Sequence, residues 1–205
     1  MIINRIKNNI TVIKDIKNKN GGFTLVEALT AIFILTFVVV GLMTVVSDSL
    51  FATKYARDEI TANYLLQEAI DFVRNDRDTS VFLNVENDIN TAWTNFYTKY
   101  TNVGCNNTSV GCIIDVNVPS GSNIFTCSSD DCRYLYLDET ATSNSFYLTN
   151  NHPSGISGKT RTNFKRTLTV VSEGADQLVV TAKVSWKNGN LNKSRELTTT
   201  LSKWQ

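Results

Sequence analysis

Hydrophobic positions fall into three successive patterns along the chain. From Phe23 to Val46 the sequence reads FTLVEALTAIFILTFVVVGLMTVV, 24 residues that are apolar on every side of a helix and carry one charge, Glu27. At helical rise this stretch reaches roughly 36 Å, enough for a bilayer core of about 30 Å, so it predicts a membrane-spanning helix. The second pattern is a stripe. Ala62, Leu65, Leu66, Ala69, Ile70 and Val73 recur at spacings of three and four, with Asp58, Glu59, Gln67, Glu68, Asp71 and Arg74 between them. No glycine or proline lies between Gly41 and Gly104, so one continuous helix is predicted from about Phe23 to about Asn75. A weaker helical pattern spans Val81 to Tyr100.

Beyond Gly104 the composition turns to Asn, Ser, Thr, Gly and β-branched residues, and the period drops to two. Short strands are predicted at Ile113–Val118, Arg133–Leu137 and Phe146–Thr149, with longer ones at Phe164–Val171, Gln177–Trp186 and Arg195–Trp204. Phe164, Arg166, Leu168 and Val170 share one face; so do Leu178, Val180, Ala182, Val184 and Trp186, and so do Leu197, Thr199 and Leu201. Lys187-Asn188-Gly189-Asn190 marks a hairpin between the last two strands, with Asn188-Gly189 expected at positive φ. The expected fold is α+β: a long N-terminal helix whose second half lays its stripe on a C-terminal antiparallel sheet. The division expected is a basic segment 1–22, an apolar half-helix 23–46, an amphipathic half-helix 47–75 and a globular domain 76–205. Trp186 and Trp204 read as core or sheet residues.

Charge sharpens the topology. The net charge of +1 gives no case for nucleic-acid binding. The first 22 residues hold Arg5, Lys7, Lys14, Lys17 and Lys19 against Asp15; without them 15 basic and 18 acidic side chains remain, a net of −3. A basic start before an apolar run places the N-terminus in the cytoplasm and the residues beyond the helix outside it. The four cysteines, Cys105, Cys112, Cys127 and Cys132, all lie beyond the apolar run, and their even count fits disulfides in an oxidising compartment. Their spacing suits zinc poorly. Three connectivities exist; the local pairs Cys105–Cys112 and Cys127–Cys132 are favoured because each would staple a loop with little apolar content. Asp130 and Asp131 could attract calcium but read more simply as solvated acids. The single histidine, His152, lies in the turn-rich Asn150-Asn151-His152-Pro153-Ser154-Gly155, with no G-x-S-x-G, H-E-x-x-H, P-loop or G-x-G-x-x-G motif in the chain. Catalysis and cofactor binding are therefore not expected.

Gly21-Gly22-Phe23-Thr24-Leu25-Val26-Glu27, preceded by a basic leader and followed by about twenty apolar residues, resembles the prepilin processing site of the type IV pilin superfamily. The resemblance implies cleavage between Gly22 and Phe23 by prepilin peptidase and N-methylation of Phe23. It further implies storage in the cytoplasmic membrane, then assembly with other pilin or pseudopilin subunits through an inner-membrane assembly platform. Physical reasons run alongside. Glycine at 22 offers no side chain to obstruct a scissile bond. A cut before the apolar run leaves the helix attached, whereas a secretory signal peptide is cut beyond its apolar segment. A carboxylate such as Glu27 is costly inside a bilayer, up to about 2.5–3.5 kcal/mol at its centre, and so calls for a partner. The resemblance supplies one: the Phe23 α-amine of a neighbouring subunit. An ordinary single-pass anchor, with Glu27 at the headgroups, is the plainer alternative.

Two further stretches, Asn63 to Asn75 and the C-terminal run from Phe164-Lys165-Arg166 through Val184-Ser185-Trp186 to Arg195–Leu201 and Trp204, are similar to V-type minor pilins and I-type pseudopilins of type II secretion. Many major pilins carry proline where this chain has Thr44, which leaves Gly41 as the one loosening residue in the apolar helix and favours a minor, low-copy role. A second expectation is a binding module, an anchored surface or filament-tip protein whose stapled loops hold a ligand.

Overall fold

The computed structural model describes residues 22–83, 88–118, 123–127, 129–138, 146–149 and 155–203. The leader with Gly21, the histidine His152 and Trp204 lie outside the described residues. The chain divides into two compact units between Phe51 and Ala52. Helix α1, Leu25–Leu83, contributes to both.

In the first unit α1 is unbroken through Gly41, and every residue from Gly22 to Phe51 is exposed. Its hydroxyl side chains turn inward on their own helix. Thr30 Oγ1 donates to the Glu27 carbonyl at 3.0 Å, Thr36 to Phe33 at 2.8 Å, Thr44 to Gly41 at 2.8 Å and Ser47 to Met43 at 2.9 Å. Such back-bonding satisfies polar groups without water, as a helix surrounded by hydrocarbon requires.

In the second unit the helix–sheet arrangement is as the periodicity predicts. The buried residues of α1 are Ala62, Leu65, Leu66, Ala69, Ile70 and Val73, and they join one core with the sheet. The helix outlasts its expected end near Asn75 by two turns. Helix α2, Ile89–Thr101, accounts for this: Lys99 Nζ and Tyr100 Oη donate to the Asp76 carboxylate at 2.7 and 2.9 Å, so residues past Asn75 gain a packing partner. The single weak helix expected over Val81–Tyr100 is in fact divided. Residues 81–83 close α1 and 89–101 form α2, which buries Ala92, Trp93, Phe96 and Tyr100.

Among the described residues seven antiparallel strands form the sheet: β1 Cys112–Ile114, β2 Ile124–Thr126, β3 Tyr134–Asp138, β4 Phe146–Thr149, β5 Thr160–Ser172, β6 Gln177–Asn188 and β7 Leu191–Ser202. β5 organises it. One edge pairs with β6 over Lys165–Ser172; the other is shared by β3 and, at Leu168, by β1. The faces read from the sequence hold on β5 and β6, where Phe164, Arg166, Leu168 and Val170, and Leu178 through Trp186 at every second residue, are buried. β7 differs. It is an edge strand paired with β6 alone, and of its expected face Leu201 is buried while Leu197 is 38% exposed.

The hairpin also differs in detail. Asn188 is the last β6 residue and pairs with Leu191, so the two-residue loop is Gly189-Asn190, with φ of 58° at Gly189 and no positive φ at any described non-glycine residue. Glycine at the first loop position is the type II′ solution, which spares Asn188 the left-handed conformation. β1 stops at Ile114, short of the expected Val118, because the chain turns at Val116 and Asn117; Asp115, whose N still donates to the Asn123 carbonyl at 2.8 Å, anchors that turn. Its fully buried carboxylate accepts from Asn117 N at 3.0 Å, Thr149 N at 2.9 Å and Thr149 Oγ1 at 3.1 Å. The resulting clamp joins the end of β1 to β4 and satisfies a charge that burial would otherwise penalise. β2 has no counterpart among the strands expected from the sequence.

Candidate processing site at the head of the apolar helix

Gly22, Phe23 and Thr24 precede α1 without helical structure. Thr24 is the N-cap: its carbonyl accepts from Ala28 N at 3.1 Å, and its Oγ1 accepts from Glu27 N at 3.2 Å. Thr-x-x-Glu is the sequence form of a capping box, a start signal that the resemblance to a processing site leaves unused. Glu27 thereby occupies the first turn, where a carboxylate is favoured by the helix dipole by about 0.3–1 kcal/mol. Among the described residues its carboxylate has no hydrogen-bond or ionic partner, and both Glu27 and Phe23 are exposed.

Gly22 is not a glycine because of its own surroundings. A Cβ there meets nothing within 4 Å, and its φ lies outside the left-handed range. Among the described residues the local structure places no demand for glycine at this position. The apolar residues beyond it, Leu25, Val26, Leu29 and onward to Val46, leave their side chains open on all sides of the helix. A surface of this kind is stable in lipid or against other apolar helices.

The cysteines form Cys105–Cys112 and Cys127–Cys132, with Cα separations of 4.6 and 5.8 Å. In the chain-entropy picture each small closed loop contributes about 2 kcal/mol. The first disulfide is tied to the central strand. The Cys105 carbonyl accepts from Val170 N at 2.9 Å and Cys112 stands opposite Leu168. The second carries Asp130 and Asp131, the acids with a conceivable affinity for calcium, and here they face cations. Asp130 pairs with Lys165 and Arg133, and Asp131 with Arg161 at 3.2 Å. The Lys165 hydrogen bond holds the Asp130 carboxyl below its usual range and raises the Lys165 ammonium in turn. Arg161 and Lys165 also flank the Tyr134 ring, at 3.7 and 4.6 Å from its centre.

Sequence reasoning missed the role of Arg166. Its alternation with Phe164 and Leu168 placed it on the inner face, but nothing local announced its partners: Glu68 and the carbonyls of Leu65 and Ile114, 98, 101 and 52 residues away.

No curated protein and no solved structure matches the chain. Residues 17–43 match the model of the prokaryotic N-terminal methylation motif. That match covers the Gly22–Phe23 bond, the Thr24 cap, Glu27 and most of the apolar stretch, and with these residues the chain is similar to type IV pilin-like prepilins, the substrates of prepilin peptidase.

Proposed function

We propose that this chain is the precursor of a minor pilin or pseudopilin that acts by assembly. Prepilin peptidase removes residues 1–22 and methylates the Phe23 amine. The product stays in the cytoplasmic membrane through residues 23–46, with its N-terminus on the cytoplasmic side, until the assembly platform draws it into a filament. There apolar helices replace lipid around the segment. The Glu27 carboxylate, exposed and without an ionic partner among the described residues, meets the Phe23 amine of a neighbouring subunit and sets the axial stagger. The absence of proline at Thr44 and the likeness to V-type minor pilins and I-type pseudopilins favour a low-copy position over the filament shaft.

The observation that carries this reading is the methylation motif over residues 17–43, set across a scissile bond that lies outside the helix. Co-expression with the cognate prepilin peptidase should give a product beginning at methylated Phe23, as read by intact-mass and N-terminal fragment analysis. A product that keeps residues 1–22 counts against the proposal. Glu27→Ala should insert into the membrane normally yet be recovered in sheared filaments at a level reduced at least tenfold. Undiminished recovery would remove the pairing role.

A further inference from the structure

We infer that Thr24 is a positioning residue for processing: by capping α1 it keeps the Gly22–Phe23 peptide out of the helix, where a peptidase can engage it. The inference rests on the processing reading above and adds a residue to it.

A peptide bond within an α-helix has its carbonyl tied to the amide four residues on, and a hydrolase must break that tie before it can orient the carbonyl. If α1 ran back toward its leader, Val26 N would bond the Gly22 carbonyl, the one to be attacked, and Glu27 N would bond the Phe23 carbonyl. The structure has a different arrangement. Glu27 N is committed to Thr24 Oγ1 at 3.2 Å, Thr24 O takes Ala28 N at 3.1 Å, and the helix opens at Leu25. Once Glu27 N is held by the Thr24 side chain, the Phe23 carbonyl has lost its helical donor. Propagation back to Gly22 would then have to begin by breaking the cap. Gly22 and its empty surroundings do not supply this stop by contact, since a Cβ there meets nothing. The hydroxyl does. Replacing an N-cap Ser or Thr by a residue without an acceptor costs typically about 1 kcal/mol, so a helix start at Leu25 loses about a fivefold advantage over starts nearer the leader.

The test uses the full-length precursor in detergent–lipid micelles with its cognate prepilin peptidase, comparing kcat/KM of leader removal for wild type, Thr24→Val, Thr24→Ser and Thr24→Asn. Valine keeps the shape and lacks the acceptor, and cleavage should slow measurably, by up to about fivefold. Serine and asparagine are efficient caps of different shape, and both should restore cleavage to within twofold of wild type. Equal rates for valine and wild type would overturn the inference and leave the processing reading standing. Rescue by serine but not asparagine would also overturn it, because the peptidase would then be reading the hydroxyl directly. A wild-type precursor that is not cut at all would overturn the processing reading and this inference with it.

Discussion

Glu68→Gln should destabilise the Ala52–Gln205 unit by about 2 kcal/mol, and Arg166→Met should abolish most of that sensitivity. Arg166 is 2% exposed at the centre of β5, and its guanidinium reaches three acceptors on two other elements. Nη1 donates to the Leu65 carbonyl of α1 at 3.3 Å and to the Glu68 carboxylate, and Nη2 donates to the Ile114 carbonyl of β1 at 3.1 Å. Removing one partner of a buried ion pair costs about 3–5 kcal/mol, because the other charge stays buried and uncompensated. Two features lower the figure here. The Glu68 side chain is 38% exposed, so water relieves part of the loss, and both carbonyls continue to accept from the guanidinium.

Arg166→Met removes the buried charge itself. Its cost is the Ile114 carbonyl left without this donor, about 1–3 kcal/mol, offset by the desolvation that no longer has to be met. Once the arginine is gone, Glu68 can turn to solvent, so Glu68→Gln in that background should be nearly silent, within about 0.5 kcal/mol of zero. The double-mutant cycle is therefore expected to return a coupling of about 2 kcal/mol. Urea denaturation followed by fluorescence reads it directly, because Trp93 and Trp186 are both buried in the core and shift to the red on unfolding. Strict additivity of the two substitutions, or a Glu68→Gln effect below about 0.5 kcal/mol with Arg166 present, would refute the three-way tie.

Gly111→Ala should cost about 2–4 kcal/mol in the same assay. A Cβ would stand 2.8 Å from the Leu168 carbonyl at a φ of 67°, adding left-handed strain to a clash with backbone; a loss under about 1 kcal/mol would contradict the close approach. Above pH about 10 the stability of the unit should fall with rising pH. Burial first, and then the Asp76 carboxylate beside it, raise the Tyr100 phenol well above its ordinary value, and burial raises Tyr147 as well. The unfolded tyrosines thus ionise before the native ones: the stability is fully present below the unfolded pKa and is lost as pH climbs toward the folded one. Tyr100→Phe should make that alkaline slope shallower while lowering stability near neutrality by about 1 kcal/mol through the lost hydrogen bond; an unchanged slope in equilibrium unfolding at pH 9 to 11 would contradict the assignment.

Legibility from sequence tracks the range of the interactions. The α1 stripe from Ala62 to Val73 and the alternating faces of β5 and β6 are periodic over ten residues or so, and hydrophobic period alone decides them. The helix terminus is not decided that way, because its extension depends on Asp76 meeting Lys99 and Tyr100 from the next helix, a contact that propensity cannot anticipate. β2, three residues long, has no period to detect, and the strand expected at Ile113–Val118 is shortened to Cys112–Ile114. The pairing of β1 with β2, with Ile113 across from Phe125, and the Asp115–Thr149 clamp that follows β1 are set by residues 12 and 34 positions apart in the chain. The Thr24 cap belongs with the legible features: Thr-x-x-Glu ahead of an apolar run is a start signal, although the resemblance to a processing site points to the cleaved bond instead of to the hydroxyl beside it.

The matched motif ends at residue 43, and the first buried residue of α1 is Ala62. The residues that carry processing and the residues that carry the domain fold therefore share no position, although they share a helix. Each set obeys a different requirement. Residues 23–46 are apolar on all sides with hydroxyls bonded internally, while Ala62–Val73 are apolar on one stripe, whose alanines Ala62 and Ala69 are fully buried. Substitutions in the stripe should thus alter stability without touching leader removal, and substitutions at Gly22 or Thr24 should do the reverse. The outer face of the sheet belongs to neither set: Lys165 and Arg161 there hold Asp130 and Asp131 of the second disulfide loop, so substitutions on it should act on that loop and leave both the motif and the stripe untouched.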